Sequence, residues 1–306
     1  MAQSTVAAVD TSFIFIMAFA FLLFALIMFL MLFFVVRYRR SRNPVPEETR
    51  ANPWMEVGWI AAALILVLLM FFSGLTGFQF LRRPPSGAMK VTVTARQWSW
   101  LFQYENGHTT TELVVPQGKP VSLALVSQDV IHSFYVPDFR VKQDVVPGMT
   151  TRAWFQADRP GTHDILCAEY CGLEHSQMMS RVVVVTEADF ARWYAGDEEA
   201  IPGVESLENN PTGEKLLRIK GCLDCHSTNG AKGIGPTFKG LYGSRVDVTT
   251  AGRKRTVVAD EEYCRRSLID PGADVLVGYR DSMPSEKGKL TEAEVAEIVT
   301  FLESLR

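Results

Sequence analysis

The stretch Cys167-Ala168-Glu169-Tyr170-Cys171-Gly172-Leu173-Glu174-His175-Ser176-Gln177-Met178 gathers two thiols, an imidazole and a thioether in a short run. Ligands this soft suit copper better than the hard cations, and two thiolates exceed the single Cys of a blue-copper site. A second imidazole is needed. His132, in Val130-Ile131-His132-Ser133-Phe134, is the candidate from an earlier loop. Cys₂His₂ is also a zinc set, and a Cys167–Cys171 disulfide is the plainest alternative. Met178 and an oxidising compartment favour copper, and a disulfide would leave His175 and Met178 without a part.

Around this stretch the sequence alternates apolar and polar residues in short runs at 90–95, 112–115, 121–126, 152–156, 162–166 and 181–186. Turn signals separate them, among them Glu105-Asn106-Gly107, Pro116-Gln117-Gly118, Val146-Pro147-Gly148 and Arg159-Pro160-Gly161. Strands of this length and spacing predict an all-β sandwich or barrel over 86–195, closed by a helix over 187–194. His108 follows a turn and reads as an exposed hairpin residue, and His163 as packing. Neither is taken as a ligand.

Upstream lie two stretches without a charge, 26 residues over 11–36 and 25 over 57–81. As helices each reaches about 38 Å, enough to cross a hydrocarbon core of about 30 Å. Five arginines (Arg37, Arg39, Arg40, Arg42 and Arg50) lie between them, and the tail before them has no base. The positive-inside rule places that loop in the cytoplasm and both termini outside. A cleaved signal peptide is the competing reading of the first stretch, but the basic n-region is missing and the apolar run is long for one. Both are therefore taken as retained helices of a hairpin spanning 1–85. A chain of 306 residues so divided, 47% hydrophobic with net charge −3, is no cytosolic globular enzyme, disordered chain or many-helix transporter. No segment is basic enough to suggest nucleic acid.

Downstream, 196–210 carries five acids and no base, the composition of a self-repelling linker. Beyond it stands Cys222-Leu223-Asp224-Cys225-His226. C-x-x-C-H is the attachment signature of c-type haem, two thioethers and a proximal imidazole. After His226 there is no further His, and the only Met after Met179 is Met283. A sulfur ligand from this domain must therefore be Met283, and Met/His ligation raises the potential of a haem. A redox C-x-x-C pair is the alternative, without the βαβ context it needs. Of the five cysteines, four form the close pairs 167/171 and 222/225, too near for stabilising disulfides. Cys264 reads as a buried free thiol.

The C-x-E-x-C-G-x-x-H-x-x-M stretch, the V-x-H-S-F segment, Gln97-Trp98-Ser99-Trp100 and the two upstream helices together resemble subunit II of cytochrome c oxidase. The segment 211–306, with Gly233-Ile234-Gly235-Pro236, a helix ending near Asp270-Pro271 and a last helix over 291–305, resembles class I cytochrome c. The resemblance implies a multi-domain membrane protein: a transmembrane hairpin, a cupredoxin-like sandwich, the linker, and an all-α cytochrome c domain. It implies a binuclear copper A centre bridged by Cys167 and Cys171, with His132, His175, Met178 and the Glu169 carbonyl completing it. It further implies a magnesium ion at the Glu169 side chain, at the border with the catalytic subunit. Trp98 would be the surface point at which electrons arrive from a cytochrome c, although the aromatic that follows it in many relatives is Ser99 here. Glu56, in Glu56-Val57-Gly58-Trp59, resembles a glutamate at a proton-channel mouth and equally suits an interfacial carboxylate near a helix N-terminus.

The expected partners are subunits I and III of a haem–copper oxidase in a bacterial inner membrane, fed by a cytochrome c or a quinol-oxidising complex. O2 would be reduced, with proton translocation, in the partner, because neither apolar stretch has a histidine to hold a haem. A nitric oxide reductase subunit and a membrane-tethered carrier without its own enzyme are the rivals. Nitrous oxide reductase ranks lower because it lacks the hairpin, and a quinol oxidase subunit because that group has lost the copper ligands.

Overall fold

The computed structural model describes residues 5–45, 52–204 and 212–306. Two long helices come first, α1 (Thr5–Arg37) and α2 (Pro53–Arg82). Their apolar side chains point outward all round, which is what lipid as a solvent demands. Helices also satisfy every backbone polar group internally, as a membrane span must. Both run a few residues beyond the uncharged stretches. Asn52 caps α2 by accepting from the Trp54 amide at 3.0 Å, and Pro53 starts the helix, where its missing N–H costs nothing.

Ten strands follow: β1 (Met89–Arg96), β2 (Ser99–Tyr104), β3 (Thr109–Thr110), β4 (Leu113–Pro116), β5 (Pro120–Ser127), β6 (His132–Val136), β7 (Val141–Val145), β8 (Thr150–Gln156), β9 (Gly161–Cys167) and β10 (Met179–Val185). They form two five-stranded sheets, ordered β3-β2-β1-β5-β8 and β4-β10-β9-β6-β7. β1/β5 and β4/β10 are parallel and the other pairs antiparallel. Along β5 the residues alternate between half-buried and fully buried, so Val121, Leu123 and Leu125 face the second sheet. Helix α3 (Glu187–Tyr194) closes the sandwich with Phe190 and Trp193 buried, and Tyr104 meets Trp193 edge to face at 5.1 Å.

The sandwich sits against the start of α1 and the end of α2. Trp154 Nε1 donates to the Phe80 carbonyl at 3.1 Å, with the two rings edge to face at 5.1 Å. At the other helix Arg140 pairs with Asp10 at 2.9 Å.

The expected linker begins later than the charge pattern suggests. Residues 197–204 fold back on the sandwich, with Ile201 and Val204 in its core and Asp197 paired to Arg192 at 2.7 Å. The two apolar side chains outweigh the self-repulsion of three acids. The remainder, 205–210, lies outside the described residues.

The last domain packs α4 (Gly213–Ile219), α5 (Glu261–Ile269) and α6 (Glu292–Ser304) around one core. A Cβ on Gly213 would strike the Glu297 carbonyl and Phe301, so only glycine lets α4 and α6 come this close. The domain is helical as expected, and a small sheet is added to its helices. A three-stranded sheet, β12-β11-β13, is built from β11 (Arg245–Thr250), β12 (Arg253–Val258) and β13 (Val275–Leu276). The alternation Val246, Val248 and the Ala251-Gly252 turn, both residues at positive φ, are a hairpin signal that the resemblance to an all-α family obscured.

Candidate functional site

Six elements of side chain and backbone converge at one end of the sandwich. His132 opens β6, Cys167 ends β9, and the loop that follows brings Cys171, His175 and Met178 back to them. The Sγ atoms of Cys167 and Cys171 are 3.7 Å apart, and Cys171 Sγ lies 3.5 Å from His175 Nδ1 and 3.7 Å from Met178 Sδ. Cys167 Sγ lies 4.0 Å from His132 Nδ1 and 3.3 Å from the Glu169 carbonyl. At 3.7 Å the two thiols are unbonded, so the disulfide reading does not describe this structure. All the ligating atoms expected from the sequence thus face one small space. Two soft sulfurs between two imidazoles, with a thioether and a carbonyl, fit a copper pair better than one tetrahedral zinc.

The surroundings fix the ligands. Asp129 Oδ1 is 2.8 Å from His132 Nε2 and its Oδ2 accepts from the Gln97 amide at 2.7 Å. The carboxylate therefore accepts a hydrogen bond from Nε2–H and leaves Nδ1 turned toward Cys167, the arrangement by which outer partners orient a ligating imidazole. Burial would raise the Asp129 carboxyl, but hydrogen bonds from His132 and from the Gln97 and Val130 amides outweigh it and hold it low. Burial also opposes ionisation of Cys167, and hydrogen bonding by His132 and by the backbone of Ser133 and Glu169 outweighs that too, so this thiol is lowered. Cys171 is raised, by burial and then by the charge on Cys167. One thiolate forms readily and the second proton leaves when a metal replaces it.

Gly172, at φ 120°, lets the loop lie against Gln97 and Trp98, where a Cβ would meet Gln97 Nε2 at 2.9 Å and the Trp98 ring at 3.1 Å. Both side chains donate to the Cys171 carbonyl, Gln97 Nε2 at 2.7 Å and Trp98 Nε1 at 3.2 Å. Trp98 is not at an open surface, as expected of it, but buried at 8% exposure. The cytochrome-like domain covers it. Gln97 and Trp98 line the same cavity as Cys222, Cys225, His226 and Met283, and its empty space, mouth included, is about 1310 Å³.

That cavity suits a large planar group held by the attachment motif. His226 Nδ1 donates to the Pro236 carbonyl at 2.7 Å, which leaves Nε2 with its lone pair. Phe238 stacks on the imidazole at 4.5 Å. A Cβ on Gly235 would overlap the imidazole ring, within 2.7 Å of Nδ1. Burial lowers the His226 pKa against the pull of Pro236, keeping the ring neutral and able to ligate. Cys264 is a buried free thiol on the cavity wall.

The other candidates lie elsewhere. The Glu169 side chain is exposed beside Tyr170, and Glu56 is exposed in the first turn of α2. His108 is not the open hairpin residue expected: it is half-buried, edge to face on Trp193 at 5.4 Å. His163 pairs with Asp138 at 2.6 Å and packs on Phe139. Sequence reasoning missed Asp129 and Gln97. Asp129 lies three residues before His132, the only hint of its part.

Three family models match the chain. The transmembrane domain of cytochrome c oxidase subunit II matches residues 2–75, the periplasmic domain of that subunit 107–186, and cytochrome c 212–306. Cytochrome c oxidase subunit 2 of Alkalihalophilus pseudofirmus is 28% identical over 297 residues, covering 90% of this chain and 81% of its own. The protein of that name from Cereibacter sphaeroides is 30% identical over 220 residues, 59% of this chain and 72% of its own. A solved periplasmic domain of subunit II of cytochrome oxidase, from Bradyrhizobium japonicum, is 29% identical over 38% of this chain and 98% of its own, at TM-score 0.36.

Proposed function

The chain belongs to the cytochrome c oxidase subunit II family and carries a C-terminal cytochrome c domain, and from this we propose that it receives electrons for a terminal oxidase without itself performing the bond chemistry. The convergence of His132, Cys167, Cys171, His175 and Met178 beneath a buried Trp98 that also lines the haem cavity carries this reading. Cys222 and Cys225 would hold the haem covalently, and His226 and Met283 would ligate its iron. Cys167, Cys171, His132, His175, Met178 and the Glu169 carbonyl would together hold a copper pair. When bound, the two groups would supply neighbouring one-electron centres.

The protein's own part is placement. Asp129 holds the imidazole of His132, and Gln97 and Trp98 hold the Cys171 carbonyl, so the loop that carries the cluster is fixed in place. Trp98 supports a short route because it touches the copper loop and the haem cavity at once, so electrons would arrive from the chain's own cytochrome domain. Around the copper loop the apolar side chains of Ile131, Tyr170 and Leu173 are exposed, Tyr170 at 76%, and suit a face that meets the catalytic subunit. There the exposed Glu169 carboxylate would reach a magnesium ion. The sandwich and both outer helix ends lie on the periplasmic side, opposite the arginine-rich loop, in a bacterial inner membrane. O2 reduction and proton translocation take place in subunit I, and Glu56 at the inner end of α2 stands at the mouth of a proton path. Glu56→Gln slows steady turnover on this reading and leaves it unchanged if the carboxylate is only interfacial.

The experiment is purification through a tag on this chain, with gas consumption measured. Co-purification of a many-helix haem subunit that consumes O2 supports the oxidase. Nitric oxide consumption assigns the chain to a reductase, and recovery without a haem subunit makes it a tethered carrier.

A further inference from the structure

Arg96 is the last residue of β1, one position before Gln97 and Trp98. Its guanidinium leaves the copper domain and enters the cytochrome domain, where Nη2 donates to the Ile219 carbonyl at 3.1 Å and Nη1 lies 3.7 Å from Glu286 Oε2. Nε reaches back to Ser99 Oγ at 3.4 Å. Each of the two charged side chains is only 8% exposed. A solvated surface pair would be worth little, but a pair enclosed at an interface is strongly unfavourable to break, because the remaining charge is stranded. Such pairs can fix register where apolar packing alone is permissive.

The two points that Arg96 grips flank the haem ligands. Ile219 ends α4, and its carbonyl is among those that a helix C-terminus leaves without an internal partner. Three residues later comes Cys222. Glu286 stands three residues after Met283, with its backbone tied to the Leu268 carbonyl at 2.9 Å. Between these, Gly221 passes so near the copper domain that a Cβ would lie 2.9 Å from Ser99 Oγ. One guanidinium therefore ties together the strand that leads to Trp98 and both chain segments that carry the haem ligands.

We infer that Arg96 and Glu286 are positioning residues, a charged latch that seats the chain's own cytochrome domain on the Trp98 face in one orientation and keeps that face closed to other donors. The latch rests on the functional reading above only for its consequence. The contact itself is testable without turnover. Hydrogen–deuterium exchange of the full chain in detergent follows the segments 96–99 and 219–224, while laser-initiated reduction of the haem follows electron transfer to copper. Arg96→Gln and Glu286→Gln should each raise exchange in both segments and slow transfer by about tenfold or more, since only the seated fraction conducts. Haem and copper spectra stay unchanged, and Arg96→Lys, which keeps the charge, recovers most of the protection. A latch of no importance would leave exchange in both segments as it is in the native chain, and that result overturns the inference. If Arg96→Gln loses its copper, Glu286→Gln, wholly on the cytochrome side, decides alone. Absence of haem-to-copper transfer in the native chain would defeat the functional reading and leave the exchange result to judge the latch.

Discussion

Trp98 Nε1 donates to the carbonyl of Cys171 at 3.2 Å while its ring forms part of the wall of the cavity that holds His226 and Met283. An aromatic side chain thus joins two ligand sets that lie far apart in the sequence. Trp98→Leu keeps the site apolar but removes the indole and its hydrogen bond. Electron transfer from haem to copper should fall at least about tenfold, equivalent to about 1.4 kcal/mol in a barrier, with both absorption spectra intact. Stopped-flow reduction of the full chain measures it.

Asp129 acts through His132. Asp129→Asn keeps the size of the side chain but loses the negative charge that accepts from Nε2–H. Copper affinity should drop about 10- to 100-fold, the usual effect of removing an outer partner of a ligating histidine. Competitive chelation monitored at the thiolate-to-copper bands reads this loss.

Gly235 leaves room for the proximal imidazole. With Gly235→Ala, the new methyl group meets the His226 ring, and overpacking of this kind costs about 1–3 kcal/mol. The ring must move from its bond to Pro236. Expression of this variant should yield chain with little attached haem, or with a lower melting temperature, while copper binding persists. Haem staining and metal counting distinguish the two sites.

Asp274 gives the cytochrome domain an acid-sensitive element. Burial would raise its carboxyl, but bonds from Thr250 and Arg255 and the charges of Arg266 and Arg255 hold it below the usual range. Arg255 Nη2 lies 2.9 Å away and Arg266 Nη2 2.5 Å. A depressed folded pKa contributes stability above the unfolded value, about 3.9, and loses it as pH falls through the folded value. Asp274→Asn should therefore melt below the native chain at pH 7, with the gap closing below about pH 4. Thermal melts read at the haem absorption across that range give the comparison.

The membrane hairpin was legible because lipid imposes one pattern, a long run without charge, and α1 and α2 follow it. The cluster proposed to hold copper was legible because Cys167 to Met178 are close in sequence and chemically unusual. β2, β6 and β7 were not: Trp100-Leu101-Phe102 is apolar on both faces, His132, Ser133 and Phe134 are buried in succession, and β7 places Lys142, Gln143 and Asp144 between its two valines. The seating of the cytochrome domain on Trp98 could not be read at all. It depends on Arg96 meeting Glu286, 190 positions further along the chain, and neither residue carries a local pattern. The same holds for Ile201 and Val204, whose apolar contacts are masked by the acids around them.

The most direct test is metal and haem analysis of the purified full chain together with its EPR spectrum. The expected result is two coppers and one covalent c-type haem per chain, with a mixed-valence copper signal and a low-spin haem. One copper or zinc per chain, or haem that is extracted by acid acetone, would contradict the reading of Cys167, Cys171, Cys222 and Cys225 on which the proposed electron path stands.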